Sequence, residues 1–93
     1  MGNEIEAKPR ITVYTADPCG RCIEAKDLLR RLDLTFEEVN LTKDPVGRKE
    51  LVAFTGEMTF PQIIIGERVV GGFRELLEAD RDGTLHEILA IAA

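Results

Sequence analysis

Residues 10–32 read RITVYTADPCGRCIEAKDLLRRL, and the change of period inside this stretch decides the fold. Arg10 to Thr15 alternates β-branched and aromatic residues, the pattern of a strand. Ala16 to Gly20, with Pro18 inside it, reads as a loop. From Arg21 the apolar positions Ile23, Ala25, Leu28, Leu29 and Leu32 recur at helical spacing, predicting a helix to about Leu32 that Asp33-Leu34 breaks. Cys19 and Cys22 therefore fall where a strand gives way to a helix.

Working outward, residues 1–9 read as a flexible lead ending at Pro9, and residues 10–93 as one domain. Thr35 to Leu41 predicts a second strand, with Phe36, Val39 and Leu41 as its apolar contributions. Asp44-Pro45 is a helix start, Asp capping and Pro at the first helical position. That helix runs through Leu51, Val52 and Phe54 and stops at Gly56. Gln62 to Ile65 and Arg68 to Val70 predict two strands, joined by a hairpin turn at Gly66-Glu67. Gly71-Gly72 closes the second of them. Phe73, Leu76, Leu77 and Ala79 mark a third helix, interrupted at Asp82-Gly83 and continued by Leu85, Ile88, Leu89 and Ile91.

The order is β-α-β-α-β-β-α. A βαβ unit implies parallel neighbours with a right-handed crossover, and a hairpin must be antiparallel. One mixed four-stranded sheet with helices on both faces meets both demands. This α/β arrangement is the thioredoxin fold.

Ninety-three residues leave room for one domain with one modest core. Hydrophobic residues make up 44% and charged residues 31%, as in ordinary globular proteins. A net charge of −5 would repel phosphates and argues against nucleic acid as a partner. No apolar run approaches the roughly 20 residues that cross a membrane. Met1 to Arg10 lacks the apolar stretch of a secretory signal, and Glu6 stands where a myristoylation motif wants Ser or Thr. The expectation is a soluble cytoplasmic monomer.

The chain has two cysteines. A bridge across two intervening residues closes too short a loop to add much chain-entropy stabilisation, so chemistry is the better reason for the pair. Helix N-termini carry unpaired N–H groups and the positive end of the macrodipole, which favour a thiolate. Arg21 adds positive charge nearby, and Asp17 opposes it. The exposed Cys19 is expected to attack a substrate disulfide. Cys22, one turn on, is placed to resolve the mixed disulfide. A structural zinc site wants four ligands, and the remaining candidate, His86, reads as a helix surface residue.

Other residues admit bland readings. Tyr14 is either a core strand residue or a wall of the thiol pocket. Arg21 is either an exposed helix residue or a substrate contact. Glu37, Glu38, Glu57 and Glu78 read as solvated surface. Pro61 belongs at the start of its strand. From the residues alone its peptide bond is expected trans, since only about 5% of X–Pro bonds are cis in folded proteins.

With Tyr14-Thr15 before the C-x-x-C, Thr55-Gly56 closing a helix, Thr59-Phe60-Pro61-Gln62 before an Ile run, and Gly71-Gly72-Phe73, residues 10 to 91 resemble the glutaredoxins. The resemblance implies a thiol–disulfide oxidoreductase reducing protein or glutathione mixed disulfides, with glutathione as co-substrate and no tightly bound cofactor. It implies that Pro61 is cis beside the cysteines, with Thr59 in the same loop. Phe60 would offer its backbone N–H and C=O to the substrate backbone. Gly71 and Gly72 would permit close approach at the opening of the helix that begins with Phe73, where a γ-glutamyl carboxylate could be received. Glu75 stands where the family usually has an aspartate that pairs with the glutathione amine. Arg48 falls where a residue often holds the glycine carboxylate.

The chain departs from the family pattern in several places. The site reads C-G-R-C rather than having Pro-Tyr between the cysteines. Ala16 replaces a glutathione-binding lysine, and Arg74 replaces a small hydroxyl or acidic residue. Gly71-Gly72-Phe73-Arg74 is also similar to redoxins that serve ribonucleotide reductase, which implies thioredoxin reductase as another candidate reductant. An alternative implied by the family is a [2Fe-2S] carrier, in which two protomers each give the nucleophilic cysteine, here Cys19, and a glutathione. Gly20 would leave room for it.

Overall fold

Alternation along β1 (Ile11–Thr15) sorts the molecule into two layers. Ile11, Val13 and Thr15 are buried, while Thr12 and Tyr14 turn to the other face and stay half-buried. The computed structural model describes residues 9–92, so all but Pro9 of the expected lead lies outside the described residues. The other strands are β2 (Glu37–Asn40), β3 (Gln62–Ile65) and β4 (Arg68–Gly71). The helices are α1 (Gly20–Arg31), α2 (Pro45–Thr55), α3 (Phe73–Asp82) and α4 (Thr84–Ala92).

The four strands form one sheet in the order β2-β1-β3-β4. β1 and β2 are parallel, and the β1–β3 and β3–β4 pairs are antiparallel. β3, central and buried at all four positions, carries no alternation of its own. The larger core covers one face. There Ile11, Val13, Ile63 and Ile65 meet Ala25, Leu28 and Leu29 of α1, Leu76 and Ala79 of α3, and Leu85 and Ile88 of α4. On the other face Ile64 packs with Leu41 and with Leu51 of α2, joined by Tyr14, Val39, Phe60 and Val69. This is the mixed, two-sided arrangement that the element order predicts.

Two boundaries differ from the sequence expectation, each for a local reason. β2 is shorter than Thr35–Leu41 because an edge strand pairs only with β1; Leu41 instead turns into the smaller core, although its N–H still reaches Thr15 O at 2.7 Å. α1 begins a residue early, at Gly20, because Cys19 caps it. The last helical stretch breaks at Asp82-Gly83 as expected, Gly83 taking the left-handed conformation (φ +86) that ends α3.

Topology then gathers the site. β1 and β3 run in opposite directions with Tyr14 opposite Gln62, so the end of β1 meets the start of β3. β4 runs back beside β3 with Gly71 opposite Ile63, so α3 also opens at this edge. The residues before α1, before β3 and before α3 converge.

Candidate active site

Cys19 is the N-cap of α1, in extended conformation (φ −155, ψ 100). Its Sγ accepts the backbone N–H of Cys22 at 3.1 Å. The two sulfurs are joined in a disulfide, with Cα atoms 5.3 Å apart. Cys22 is 3% exposed and belongs to the core, whereas Cys19 remains half-exposed. Accessibility therefore separates the two sulfurs.

The loop before Cys19 is held by contacts the sequence reading missed. Asp17 N–H donates to Thr42 Oγ1 at 2.7 Å, and Asn40 Nδ2 donates to Asp17 Oδ2 at 2.9 Å. Thr42 N–H in turn donates to Asn40 Oδ1 at 2.9 Å. The Asp17 carboxylate is thus engaged with the end of β2. The Asp17–Pro18 bond is cis. These partners lie about 25 residues apart in sequence, so no local pattern announced them.

Glu37 and Glu38, expected as solvated surface, are paired. Glu37 accepts from Arg10 at 2.9 Å. Glu38 accepts from the buried Thr15 hydroxyl at 2.8 Å and from Lys26 Nζ at 3.0 Å. The Thr15 hydroxyl, and then Lys26, hold the Glu38 carboxyl below the usual carboxylate range. This ties α1 to both β1 and β2.

Opposite the cysteines, Cys19 Sγ lies 3.7 Å from the Phe60 carbonyl oxygen. The Phe60–Pro61 bond is cis, as the family resemblance implies and against the expectation from the residues alone. Pro61 is fully buried. The buried Gln62 side chain donates through Nε2 to Thr59 O (3.1 Å) and Thr59 Oγ1 (3.0 Å). At the third corner, a Cβ on Gly72 would come 3.5 Å from Pro61 O. Gly71 has φ +120, and a Cβ there would meet Glu75 Cγ at 3.0 Å, so this turn needs glycine on both counts. Glu75 Oε1 accepts the Gly72 N–H at 2.9 Å, taking one donor of the α3 opening. Arg21 stands with its guanidinium 5.8 Å from the Phe73 ring centroid, spanning the openings of α1 and α3, and pairs with Glu24 at 3.7 Å. Arg74 is exposed beside Phe73.

Two more of the residues singled out from the sequence, Tyr14 and Arg48, have structural partners of their own. Tyr14 packs with the smaller core, because strand alternation turns it away from Val13 and Thr15 and towards α2. It lines a cavity of about 520 Å³ with Val39, Leu51, Phe54 and Ile64, and neither cysteine reaches that cavity. Arg48 spends Nη1 on the carbonyls of Leu41 and Thr42, at 2.7 Å each, bracing the β2–α2 turn. No group of three or more His, Cys, Asp or Glu placed to hold a metal ion occurs among the described residues. Among them, too, no helix is long and apolar enough to cross a membrane.

A mixed four-stranded sheet with a C-x-x-C disulfide at the opening of its first helix, facing a cis-proline, defines a thiol–disulfide oxidoreductase of the thioredoxin fold. The glutaredoxin family model matches residues 11–70. A glutaredoxin of Pseudomonas aeruginosa is 40% identical over 82 residues, covering 88% of this chain and 98% of the relative. A crystal structure of a buckwheat glutaredoxin–glutathione complex superposes with a TM-score of 0.80 at 28% identity, covering 90% of this chain and 79% of that one. The solution structure of a Brucella melitensis glutaredoxin gives 0.77 at 35% identity, with 88% and 89% covered. The chain belongs to the glutaredoxin family.

Proposed function

We propose that this oxidoreductase reduces glutathione and protein mixed disulfides by a two-cysteine route, Cys19 attacking and Cys22 resolving. The observation that carries this reading is the capping sulfur: Cys19 Sγ accepts the Cys22 N–H at 3.1 Å at a helix N-terminus and stays accessible. In the reduced protein the same N–H and the helix dipole favour thiolate over thiol. The Cys19 thiolate attacks a substrate disulfide, forming a Cys19–substrate disulfide and expelling the other half as a thiolate, which takes a proton from water. The Cys22 thiolate then attacks Cys19 Sγ, closing the internal disulfide and releasing the second half. Two molecules of glutathione restore the dithiol and leave as glutathione disulfide.

Glutathione as substrate is supported by the bound buckwheat relative and by the approach of Phe60 to Cys19 and of Gly72 to Pro61. In this reading Phe60 offers its backbone to the substrate, and the α3 opening at Gly72 and Phe73 receives the γ-glutamyl carboxylate. The second oxygen of Glu75 faces the amine. Arg21, steadied by Phe73, offers the positive charge that Ala16 lacks, and Arg74 lies at the rim. Serine at Cys19 should abolish disulfide reduction. Serine at Cys22 should accumulate the mixed disulfide or keep only glutathione-linked exchange. Full turnover by Cys19→Ser overturns the assignment. Faster reduction of the oxidised protein by thioredoxin reductase than by glutathione would reassign the reductant.

The two-cysteine route is preferred to a cluster-carrier role because Cys19 is joined to Cys22 in a disulfide. Gly20 opens on free space, with nothing within 4 Å of a Cβ built there. A stable brown dimer after anaerobic reconstitution would reverse this preference.

A further inference from the structure

Gln62 is the one polar residue besides Thr15 that is buried among the described residues, at 1% exposure. Three isoleucines follow it, and apolar packing would be served as well by a fourth apolar residue. Its amide is half used: Nε2 makes both bonds to Thr59, and Oε1 has no hydrogen-bond partner among the described residues. An unpaired buried carbonyl oxygen destabilises a fold, so the residue calls for a reason other than stability. The two bonds it does make hold the residue before Phe60, whose carbonyl faces Cys19 Sγ. Thr59 itself is exposed.

We infer that Gln62 is a positioning residue for substrate: its amide clamps Thr59 from beneath the sheet edge and sets the Phe60 backbone at the distance from Cys19 that a docking substrate needs. This deepens the proposed function and rests on its placing of substrate along Phe60. The substrate-facing segment before β3 is thereby ordered before substrate arrives, which lowers the ordering cost of binding.

The test is Gln62→Met, which keeps length and removes the amide. Thr59 is exposed, so its freed acceptors pass to water. The thermal midpoint should hold or rise as the orphaned oxygen disappears. With an S-glutathionylated peptide, KM should rise roughly tenfold while kcat stays within about twofold, the pattern of lost positioning in binding. Thr59→Val removes one of the two acceptors at an exposed site and should raise KM by about threefold; combined with Gln62→Met it should add little, because the two share a bond. Hydrogen exchange at the Thr59 and Phe60 amides, measured without substrate, should quicken in Gln62→Met. Unchanged exchange overturns the clamp while leaving Phe60 as a substrate contact. Quickened exchange with unchanged KM overturns the positioning role and faults the placing of substrate on Phe60. A lower midpoint with kcat and KM both impaired would make Gln62 merely structural.

Discussion

α1 and α2 open alike, each on a side chain that takes the N–H three residues on. In α1 the acceptor is Cys19 Sγ and the donor Cys22 N at 3.1 Å; in α2 they are Asp44 Oδ1 and Gly47 N at 2.8 Å. The spacing between an N-cap and its third helical residue is the C-x-x-C spacing. One set of backbone angles thus serves a carboxylate cap in one helix and a pair of bondable sulfurs in the other. At α2 the third position is glycine, where a Cβ would run into the Asp44 carboxylate and Leu41. At α1 it must carry the second sulfur, and Cys22 fits because it turns into the core. Capping is shared; reactivity comes from exchanging oxygen for sulfur.

Substitutions can pull those two roles apart. The largest effect is expected from Cys19→Ser, which should cut disulfide turnover at least about a thousandfold. Serine is itself a good N-cap, so the thermal midpoint should match that of the reduced wild type. A large drop in midpoint would mean sulfur caps α1 in a way oxygen does not. Asp44→Ala should destabilise the fold by about 1 kcal/mol, lowering the midpoint by roughly 4–8 °C, with Cys19 alkylation unaltered. Slower alkylation in that variant would show the two openings to be coupled.

Gly47→Ala is expected to forfeit the usual gain of about 1 kcal/mol for alanine over glycine in a helix, because its Cβ displaces the cap. A clear gain in urea denaturation would show that Asp44 can move aside. The smallest effect belongs to Glu38, which steadies α1 through Thr15 and Lys26. Its folded carboxyl titrates below the usual value. Its contribution is therefore complete above the unfolded carboxylate's range and is lost as pH falls through the lower folded value. Stability measured down an acid series should fall less steeply in Glu38→Gln; equal slopes would remove Glu38 from the account.

How legible the molecule was depends on the reach of each signal. β1 and the helix starts at Cys19 and Asp44 declared themselves through short-range period and capping. β2 was overdrawn because Thr35, Phe36 and Leu41 look like strand residues, yet only the stretch beside β1 forms a ladder. In the site, the two cysteines were plain from spacing. The cis bond at Pro61 needed the family resemblance, since nothing in the local residues distinguishes it. The Asp17–Asn40–Thr42 contacts and the pairing of Glu38 join distant segments and could not be read in advance. For Arg48 a family position suggested a ligand contact; the bonds of its Nη1 to the Leu41 and Thr42 carbonyls follow from the turn it braces and have no local signature.

The sulfur cap makes α1 a sensor of its own oxidation state. In the proposed mechanism, reducing the pair gives the helix an anion where its dipole is most positive, and closing the pair removes that charge while the helix remains. By a closed thermodynamic cycle, whatever strengthens the charged cap also deepens the protein's appetite for electrons.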